Sequence, residues 1–352
     1  MLKRRLMFNF KLMAQPGALK SLPIDRKVLT TTLTPFGICI AMAAAVLGVH
    51  VARAQSRPLE IRAKVHKHFR FVGYGDTRFT DPTNVKDANA DVRQRLIDEI
   101  AKEHPDFISF GGDIAFNGDN PADWKVYDSE TAVWRKKKIP VYPALGNHDL
   151  HGNIDTALGN YFTRFPVLEQ NRYYAVHAAN TLILSLDSSL DESSGPQGEW
   201  IHSQFDHLND NVDFVFIVLH HPPYTSSTDE KTYGGGHSTR SAEQKLADYL
   251  EEEQQKLRAR IIVISGHVHN YERHERRGVT YFVSGGGGAH AYPITRGAND
   301  PFQSKEVNYH FLMLEVYRNK LKATMNRIEV INGTAKWSKP DLVEITAEKR
   351  KS

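Results

Sequence analysis

Gly266-His267-Val268-His269-Asn270-Tyr271-Glu272-Arg273 is the stretch that decides the fold of this 352-residue chain. It overlaps the end of an apolar run over residues 260–266, which is typical of a buried strand. His267 and His269 are two positions apart, so in an extended chain their imidazoles point the same way. The glycine in front of them lets the backbone turn sharply and come close to a bound group. The stretch therefore predicts a ligand site at the end of a strand.

Four more polar clusters occur in the same context, each directly after an apolar run of strand character. They are Gly75-Asp76-Thr77-Arg78, Gly112-Asp113 with Gly118, Gly146-Asn147-His148-Asp149, and His220-His221-Pro222-Pro223. Ligands of α/β sheets gather at the carboxyl ends of strands, so we expect the five clusters to converge on one crevice. Each cluster alone is also compatible with an ordinary turn, because glycine, asparagine, aspartate and proline favour turns. Five clusters in the same context favour a shared site.

The chemistry of these side chains indicates a metal site. Aspartate, asparagine and histidine without a thiol form a hard-to-borderline ligand set that suits Mn, Fe, Zn or Mg. One carboxylate can bridge two ions about 3.5–4 Å apart, and a water shared between them becomes hydroxide near neutral pH. Such a pair of ions also binds the oxygens of a phosphate. We therefore expect two divalent metal ions, and the absence of thiolates argues against a closed structural site.

From residue 69 onward, short apolar runs alternate with amphipathic stretches. Helices are predicted over residues 87–103, 120–137, 197–209 and 240–258. Strands are predicted over residues 69–75, 107–111, 140–144, 173–177, 181–187, 213–220, 260–266, 279–285, 309–317 and 321–328. The last two strands are adjacent in sequence, which favours an antiparallel pair. This order predicts a mixed α/β fold built on more than one sheet.

The first 54 residues have the pattern of a secretory signal. A basic lead-in precedes a 14-residue apolar run from Phe36 to Val49, and Ala52-Arg53-Ala54 matches a signal peptidase site. The run is short for a bilayer span of about 20 residues, and a retained membrane anchor is the alternative. We expect export to the periplasm or the extracellular space, with no membrane contact after the signal is cleaved.

Charge and cysteine content agree with this processing. The segment 1–54 holds eight of the 45 Lys and Arg residues and one of the 41 acidic residues, so the remaining chain has a formal net charge of −3. That balance lacks the excess of positive charge that is typical of nucleic-acid-binding proteins. The single cysteine, Cys39, lies in the apolar run, so the processed chain would hold no disulfide. One large domain over residues 66–332 and a charged C-terminal tail over 333–352, loosely held after Trp337, complete the predicted organisation.

The clusters resemble those of the calcineurin-like metallophosphoesterases, most closely the purple acid phosphatase branch. The stretch 266–273 is very close to the signature of that branch, and His220-x-Pro222-x-Tyr224 and the glycine run 285–288 are similar to it. The resemblance extends over residues 69–328. It implies an α/β fold, a four-layer α/β/β/α sandwich of two mixed sheets flanked by helices, with a dinuclear metal site at the sheet edge.

The resemblance also implies a role for each polar side chain. The first metal would be held by Asp76, Asp113 and His269, and the second by Asn147, His220 and His267, with Asp113 bridging. His220 rather than His221 aligns with the ligand position, and a slip of one residue is the alternative. His148 would protonate the leaving alcohol or stabilise the transition state. Asp149 would orient the His148 imidazole and support its charge.

Two residues depart from the pattern of the family. Many relatives carry Asp-x-His in the first cluster and the purple branch has Asp-x-Gly, whereas this chain has Arg78, and a guanidinium cannot ligate a metal. Arg78 would clamp a phosphate oxygen, or would pair with a nearby carboxylate such as Asp81. Phe116 stands where the purple branch has a tyrosine that coordinates ferric iron, so a ferric-tyrosinate centre is not expected.

Three further residues are weaker candidates for substrate contact. Tyr224 belongs to the His220 motif, and His237 follows three glycines in the loop after it. His290 follows the glycine run 285–288. A surface position in a loop explains either of these two histidines equally well.

We therefore expect a hydrolase that cleaves phosphate monoesters with metal-activated water. A phosphodiesterase with the same dinuclear site is the first alternative, because the metals act on the same phosphorus centre. A non-catalytic member of the fold that binds phosphate is the second, and Arg78 is its main support. The expected partner is a small phosphorylated substrate, and nothing in the sequence indicates a protein partner.

Overall fold

The computed structural model describes residues 58–227 and 237–348, so the predicted signal segment 1–54 lies outside the described residues. Helices are α1 (Ala90–Glu103), α2 (Pro121–Glu130), α3 (Ala132–Lys136), α4 (Ile154–Arg164), α5 (Gly195–Asp206) and α6 (Ser241–Lys256), with 3-10 turns at His148–Leu150 and Pro166–Leu168. Strands are β1 (Leu59–Arg62), β2 (His68–Tyr74), β3 (Phe107–Phe110), β4 (Val141–Pro143), β5 (Tyr174–Ala178), β6 (Thr181–Ser185), β7 (Phe214–Leu219), β8 (Arg260–Ser265), β9 (Tyr271–Arg276), β10 (Val279–Ser284), β11 (Tyr309–Tyr317), β12 (Lys320–Ile331), β13 (Thr334–Ser338) and β14 (Leu342–Thr346). None of the helices in these two ranges is long and apolar enough to cross a membrane.

The strands form two sheets, both mixed. The first has the order β1-β5-β6-β7-β8-β10-β9. In it β6, β7, β8 and β10 are parallel to one another, β1 is parallel to β5, and the pairs β5–β6 and β10–β9 are antiparallel. The second has the order β13-β12-β11-β2-β3-β4, with β2, β3 and β4 parallel and the others antiparallel. Central parallel strands are covered on both faces, which is why β7 (FVFIVL) is buried and apolar at every position.

Side chains on the facing surfaces of the two sheets form one core. Phe71 of β2 meets Phe216 of β7 edge to face, with ring centroids 5.0 Å apart. On the outer face of the first sheet, Ile217 belongs to a cluster that includes Trp200 of α5 and Leu250 of α6. Each fully buried side chain of this size contributes about 1.5–3 kcal/mol through removal from water. Alternate residues of one strand therefore hold the sheets together and bind the outer helices.

Helices also cover the outer face of the second sheet. Tyr74 of β2 contacts Trp134 of α3 at a centroid distance of 6.1 Å, and Trp134 Nε1 donates to the Ile97 carbonyl of α1. The order of layers is thus helix, sheet, sheet, helix. The predicted fold of two mixed sheets flanked by helices is confirmed.

The helix predicted over 120–137 is two helices, and one helix was not predicted. The Thr131 hydroxyl donates to the Tyr127 carbonyl at 2.5 Å, a bond that bends or ends a helix, and α3 begins at the next residue. The missed helix is α4, whose first turn is capped by Asn153 through a bond from Thr156 N.

The expected loose tail is wrong over most of its length. β13 pairs with residues 327–331 of β12, and β14 pairs with residues 320–324 of the same strand. Ile345 and Ala347 are buried in the core. The folded part also starts earlier than residue 66, because β1 pairs with β5. The exposed face of β14 holds Leu342 together with Glu344 and Thr346, so the strand lacks a clear alternation of apolar and polar residues in the sequence.

Candidate metal centre

The five polar clusters lie at the carboxyl ends of five strands. The ends of β2, β3 and β4 lead to Asp76, Asp113 and Asn147, and the ends of β7 and β8 lead to His220 and His267. Hydrogen bonds join loops of the two sheets. His267 N donates to both carboxylate oxygens of Asp76 at 3.0 Å, and His220 Nδ1 donates to the Gly111 carbonyl at 3.0 Å. The site therefore lies where edges of both sheets meet.

Four residues of these loops have left-handed backbone conformations although none is glycine. The φ angle is 58° at Asp76, 43° at Arg78, 52° at Asp113 and 69° at His267. Each such conformation costs about 1–3 kcal/mol and persists only where the surroundings fix it. Their concentration at one place indicates that the fold holds these side chains for a binding role.

Two glycines are required by the close approach of the loops. A Cβ atom on Gly146 would lie 2.3 Å from Asp113 Oδ1, and one on Gly266 would lie 2.2 Å from Asp76 Oδ2. Any side chain at either position would displace a carboxylate. The glycine that precedes the polar residue is thus part of the geometry of the site.

His220 lies at the centre of one half of the site. Because its Nδ1–H donates to Gly111, the lone pair of the neutral ring is on Nε2. This Nε2 is 3.0 Å from Asn147 Oδ1, 3.3 Å from Asp113 Oδ1 and 3.2 Å from His267 Nδ1. Burial lowers the pKa of His220, which favours the neutral ring. We call these four residues the histidine half of the site.

Electron pairs converge in the histidine half. A neutral His220 cannot donate from Nε2, and the Asn147 and Asp113 oxygens that face it are acceptors. A proton on His267 Nδ1 could be donated to His220 Nε2. The contacts of His220 Nε2 with Asn147 Oδ1 and Asp113 Oδ1 would still each join two acceptors. Such contacts are unfavourable unless a cation lies among them. Two imidazole nitrogens, an amide oxygen and a carboxylate oxygen thus fit a divalent metal ion.

Asp76 and His269, together with Asp113, form the aspartate half. Their ligand atoms lie within 4.8 Å of one another. His269 Nδ1 donates to the His290 carbonyl at 2.9 Å, which leaves the lone pair on Nε2. That Nε2 is 3.6 Å from Asp76 Oδ1 and has no hydrogen-bond partner in the described chain. The orphaned nitrogen facing a carboxylate is compatible with a second cation, and together the halves are consistent with a dinuclear site.

Burial and neighbouring groups shift the pKa values of Asp76 and Asp113 in opposite directions. Burial and the Asp113 charge raise the pKa of Asp76 well above its ordinary value. Burial acts in the same direction on Asp113, but its interactions with the His220 and His148 imidazoles, the Arg78 guanidinium and the His148 backbone N–H hold its pKa well below the ordinary value. Burial, reinforced by Arg78, lowers the pKa of His269. Before a metal binds, Asp113 is the ionised member of the pair.

Arg78 also lies in the aspartate half. Its Nε and Nη2 donate to Asp113 Oδ2 at 3.3 and 3.2 Å. From the sequence, Arg78 was expected either to bind a phosphate oxygen or to form an ion pair with a carboxylate such as Asp81. The ion pair is formed with Asp113, whereas Asp81 accepts from the backbone and hydroxyl of Thr83.

His148 lies beside the metal ligands with its ring fixed by Phe116. His148 N donates to Asp113 Oδ1 at 2.9 Å, and its Nδ1 donates to the Phe116 carbonyl at 2.7 Å. The Phe116 ring is 5.4 Å from the His148 ring and offers no oxygen to a metal. Burial lowers the pKa of His148. The hydrogen bond to Phe116 leaves His148 Nε2 as the atom that can exchange a proton.

The expected contact between Asp149 and His148 is not formed. Asp149 Oδ1 accepts from the backbone N–H groups of Ile114 and Ala115, and Oδ2 accepts from that of Gly146. Burial and the Asp113 charge raise the pKa of Asp149 to about 8, while the three amides favour its ionised form. The prediction was wrong because the carboxylate organises two loops and the Phe116 carbonyl orients the histidine.

The three weaker candidates for substrate contact differ in where their side chains lie relative to the site. The His237 ring lies 4.9 Å from that of His267, within the site. The side chain of His290 is exposed, and only its backbone carbonyl serves the site through His269. Tyr224 meets His274 edge to face under the guanidinium of Arg276, and none of the described ring contacts joins it to a metal-site histidine.

Two further residues lie near the site: His221, which the sequence left as the alternative to His220, and Tyr292, which was not predicted. His221 packs against His267 with ring centroids 4.4 Å apart, and its Nδ1 is bonded to Ser188 Oγ at 2.8 Å. The Tyr292 hydroxyl accepts from His269 N at 3.2 Å. Tyr292 reaches the site through a fold contact that has no signal in the sequence.

Comparisons with solved structures show the same fold. Purple acid phosphatase PPD1 from yellow lupin (Lupinus luteus) seeds superposes with a TM-score of 0.57 at 17% identity, over 80% of this chain and 54% of that chain. GAP50, the anchor in the inner membrane complex of Plasmodium, gives 0.56 at 17% identity, over 81% and 90%. PhoD gives 0.55 at 11% identity, over 82% and 71%. This chain thus spans little more than half of the lupin protein.

The sequence comparison gives the family. Residues 69–271, more than half of the chain, match the calcineurin-like phosphoesterase family, whereas curated protein sequences gave no match. The matched range contains all five clusters, together with the strands that carry them. The chain therefore belongs to the calcineurin-like phosphoesterase family.

Proposed function

We propose that this chain is an exported, metal-dependent phosphatase that hydrolyses small phosphate monoesters. The observation that carries the proposal is the convergence of acceptor atoms around His220 Nε2, where Asn147, Asp113 and His267 meet within 3.3 Å. A divalent ion bound there supplies positive charge for a phosphate oxygen and lowers the pKa of a bound water. The ion can be Mn, Fe, Zn or Mg on the ligand types alone.

The residues around the ligands bind the substrate and move the proton. His148 holds its ring through Nδ1 and presents Nε2. Burial keeps this ring neutral before substrate arrives, and an incoming phosphate dianion favours its protonated form. Nε2–H then gives its proton to the leaving alkoxide. Arg78 makes its two hydrogen bonds through Nε and Nη2, so the hydrogens on Nη1 remain for a phosphate oxygen.

A phosphate-binding protein without turnover is the second candidate. The observation that favours it is the ion pair between Arg78 and Asp113, which engages the carboxylate expected to bridge two ions. The same hydrolysis experiment separates the two functions.

The experiment measures hydrolysis of p-nitrophenyl phosphate and bis-p-nitrophenyl phosphate by metal-stripped protein resupplied with Mn, Zn, Fe or Mg. Faster metal-dependent cleavage of the monoester supports the proposal. A preference for the diester makes the chain a phosphodiesterase with the same site. Metal binding and phosphate binding without turnover of either ester favours the second candidate.

Export is tested separately by sequencing the mature N-terminus of protein recovered outside the cytoplasm. The signal pattern predicts Gln55 as the first residue. An intact leader on a membrane-associated protein would support the anchor instead.

A further inference from the structure

The two halves of the site differ in charge. In the aspartate half, the Arg78 guanidinium is 3.2 Å from Asp113 Oδ2 and is close enough to shift the pKa values of Asp76 and His269. Arg78 reaches the histidine half only at the far oxygen of the shared Asp113, none of the described hydrogen bonds and ion pairs of His220 and Asn147 involves a lysine or arginine, and acceptor atoms face one another around His220 Nε2. One half thus already contains a cation, and the other is shaped to receive one.

Asp113 divides its two oxygens between the halves. Oδ1 faces His220 Nε2 and accepts from His148 N, while Oδ2 accepts both hydrogen bonds of Arg78. An ion in the histidine half can therefore use Oδ1 without disturbing the arginine. An ion in the aspartate half must compete with the guanidinium for Oδ2 or bind next to a fixed positive charge.

The position of Arg78 is held by its own backbone. Arg78 N donates to the Asp113 carbonyl at 3.0 Å, and the Arg78 carbonyl accepts from Arg93 Nη1 at 3.1 Å. Arg93 is fully buried and pairs with Glu130 at 2.7 Å. The left-handed φ of 43° at Arg78 is thus fixed from both sides and aims the side chain at Asp113.

We propose that the Arg78 guanidinium takes the place of one metal ion, so that the chain binds one divalent ion tightly, between Asn147, His220, His267 and Asp113. The inference rests on the proposed metal-dependent function and changes the expected number of ions from two to one. A second ion in the aspartate half binds at least about a hundredfold more weakly, because it meets the guanidinium charge at short range. Neutralising Arg78 opens the second position.

The test is the metal stoichiometry of the full chain. Chelator-stripped protein is titrated with Mn²⁺ by calorimetry, and bound metal is measured by elemental analysis after gel filtration. We expect one tight Mn²⁺ per chain in the wild type, one in Arg78→Lys, which keeps the charge, and two in Arg78→Gln, which removes it. Arg95→Ala removes a partly exposed arginine paired with Asp91, outside the metal site, and is expected to keep one.

Electron paramagnetic resonance of the Mn²⁺-loaded samples gives a second readout that does not depend on activity. Wild type and Arg78→Lys should show the spectrum of an isolated Mn²⁺ ion, and Arg78→Gln should show an exchange-coupled pair. Two tight, coupled ions in the wild type would overturn the inference and leave the proposed function intact. No bound metal in the wild type would overturn the proposed function itself. One ion in Arg78→Gln would also reject the role of the arginine charge.

Discussion

His148 differs from the metal ligands in what its ring contacts. Its Nδ1 is bonded to the Phe116 carbonyl, and its only described contact with Asp113 is through backbone N–H, which alanine keeps. His148→Ala should therefore retain bound metal and lower kcat for p-nitrophenyl phosphate by about 10²–10⁴-fold, the usual contribution of a general acid. The measurement is kcat together with metal content. His151→Ala is the matched control, because that exposed ring lies 4.1 Å from His148 and should leave kcat close to wild type. Loss of metal in His148→Ala would make His148 a ligand.

Asp149 holds two loops together through backbone hydrogen bonds and makes no described hydrogen bond to the His148 ring. In Asp149→Asn, an amide NH₂ replaces either Oδ2, which accepts from Gly146 N, or Oδ1, which accepts from both Ile114 N and Ala115 N. A buried donor facing a donor costs about 1–3 kcal/mol, so the unfolding free energy of metal-free protein in urea should fall by that amount. The exposed Asp210→Asn should change it by less than about 0.5 kcal/mol. Unchanged stability with a shifted pH profile of kcat would restore the original assignment to His148.

The sequence predicted the positions of the site residues better than their contacts. Asp76, Asp113 and His220 could be found because strand ends bring polar residues to a common edge, a rule that needs only local patterns. The pairing of Arg78 with Asp113 could not be found, since both lie in left-handed turns whose direction depends on the surrounding fold. Asp149 was assigned to the wrong partner for the same reason, because its carboxylate accepts from three backbone N–H groups of neighbouring loops.

At the scale of elements, β14 binds the end of the described chain to the second sheet. Ile345 is buried at 6% exposure and Leu342, in the same strand, is 51% exposed. Ile345→Ala should lower the unfolding free energy by about 2–3 kcal/mol, at the lower end for a buried isoleucine because the strand lies on the edge of the sheet. Leu342→Ala is the matched control and should cost less than about 0.5 kcal/mol. Equal effects of the two variants in urea unfolding would indicate that β14 does not pack as described.

The elements that were not predicted have weak periodic patterns. β9 reads Tyr-Glu-Arg-His-Glu-Arg, and a charged edge strand of this kind gives little apolar alternation. The first residue of α4, Ile154, is 54% exposed, whereas Ala157 and Tyr161 are its buried positions. By contrast, β7 and β8 were predicted within one or two residues, because central strands are continuously apolar.

At the scale of the whole molecule, the site joins the two sheets. Loops after β2, β3 and β4 meet loops after β7 and β8, and the bonds from His267 to Asp76 and from His220 to Gly111 cross between them. The sequence alone indicated more than one sheet, but strand order depends on long-range pairing that local patterns do not encode. The four layers followed from the family resemblance. A metal bound at this junction therefore also stabilises the packing of one sheet on the other.

Buried neutral histidines make the stability of the whole molecule depend on pH. His310 lies outside the metal site, is fully buried, and is bonded to Ser284 Oγ and the Asn308 carbonyl. Burial lowers its pKa to about 4, whereas an unfolded histidine titrates near 6.5. Above pH 6.5 neither state takes up the proton, so this group has no effect on stability. As the pH falls from 6.5 towards 4, only the unfolded chain binds the proton, and stability is lost.

Protonation of His310 in the unfolded chain lowers the free energy of unfolding by about 2 kcal/mol between pH 8 and pH 5. We expect the unfolding free energy of chelator-treated protein to fall over this range, and to fall by about 2 kcal/mol less in His310→Gln, which cannot take up the proton. The comparison concerns the difference between the two pH values, so a uniform loss of stability in the variant does not affect it. His66→Gln, at an exposed histidine, should leave the pH dependence unchanged. If His310→Gln and the wild type lose stability equally as the pH falls, His310 is protonated in the folded state and the core around Ser284 admits the charge.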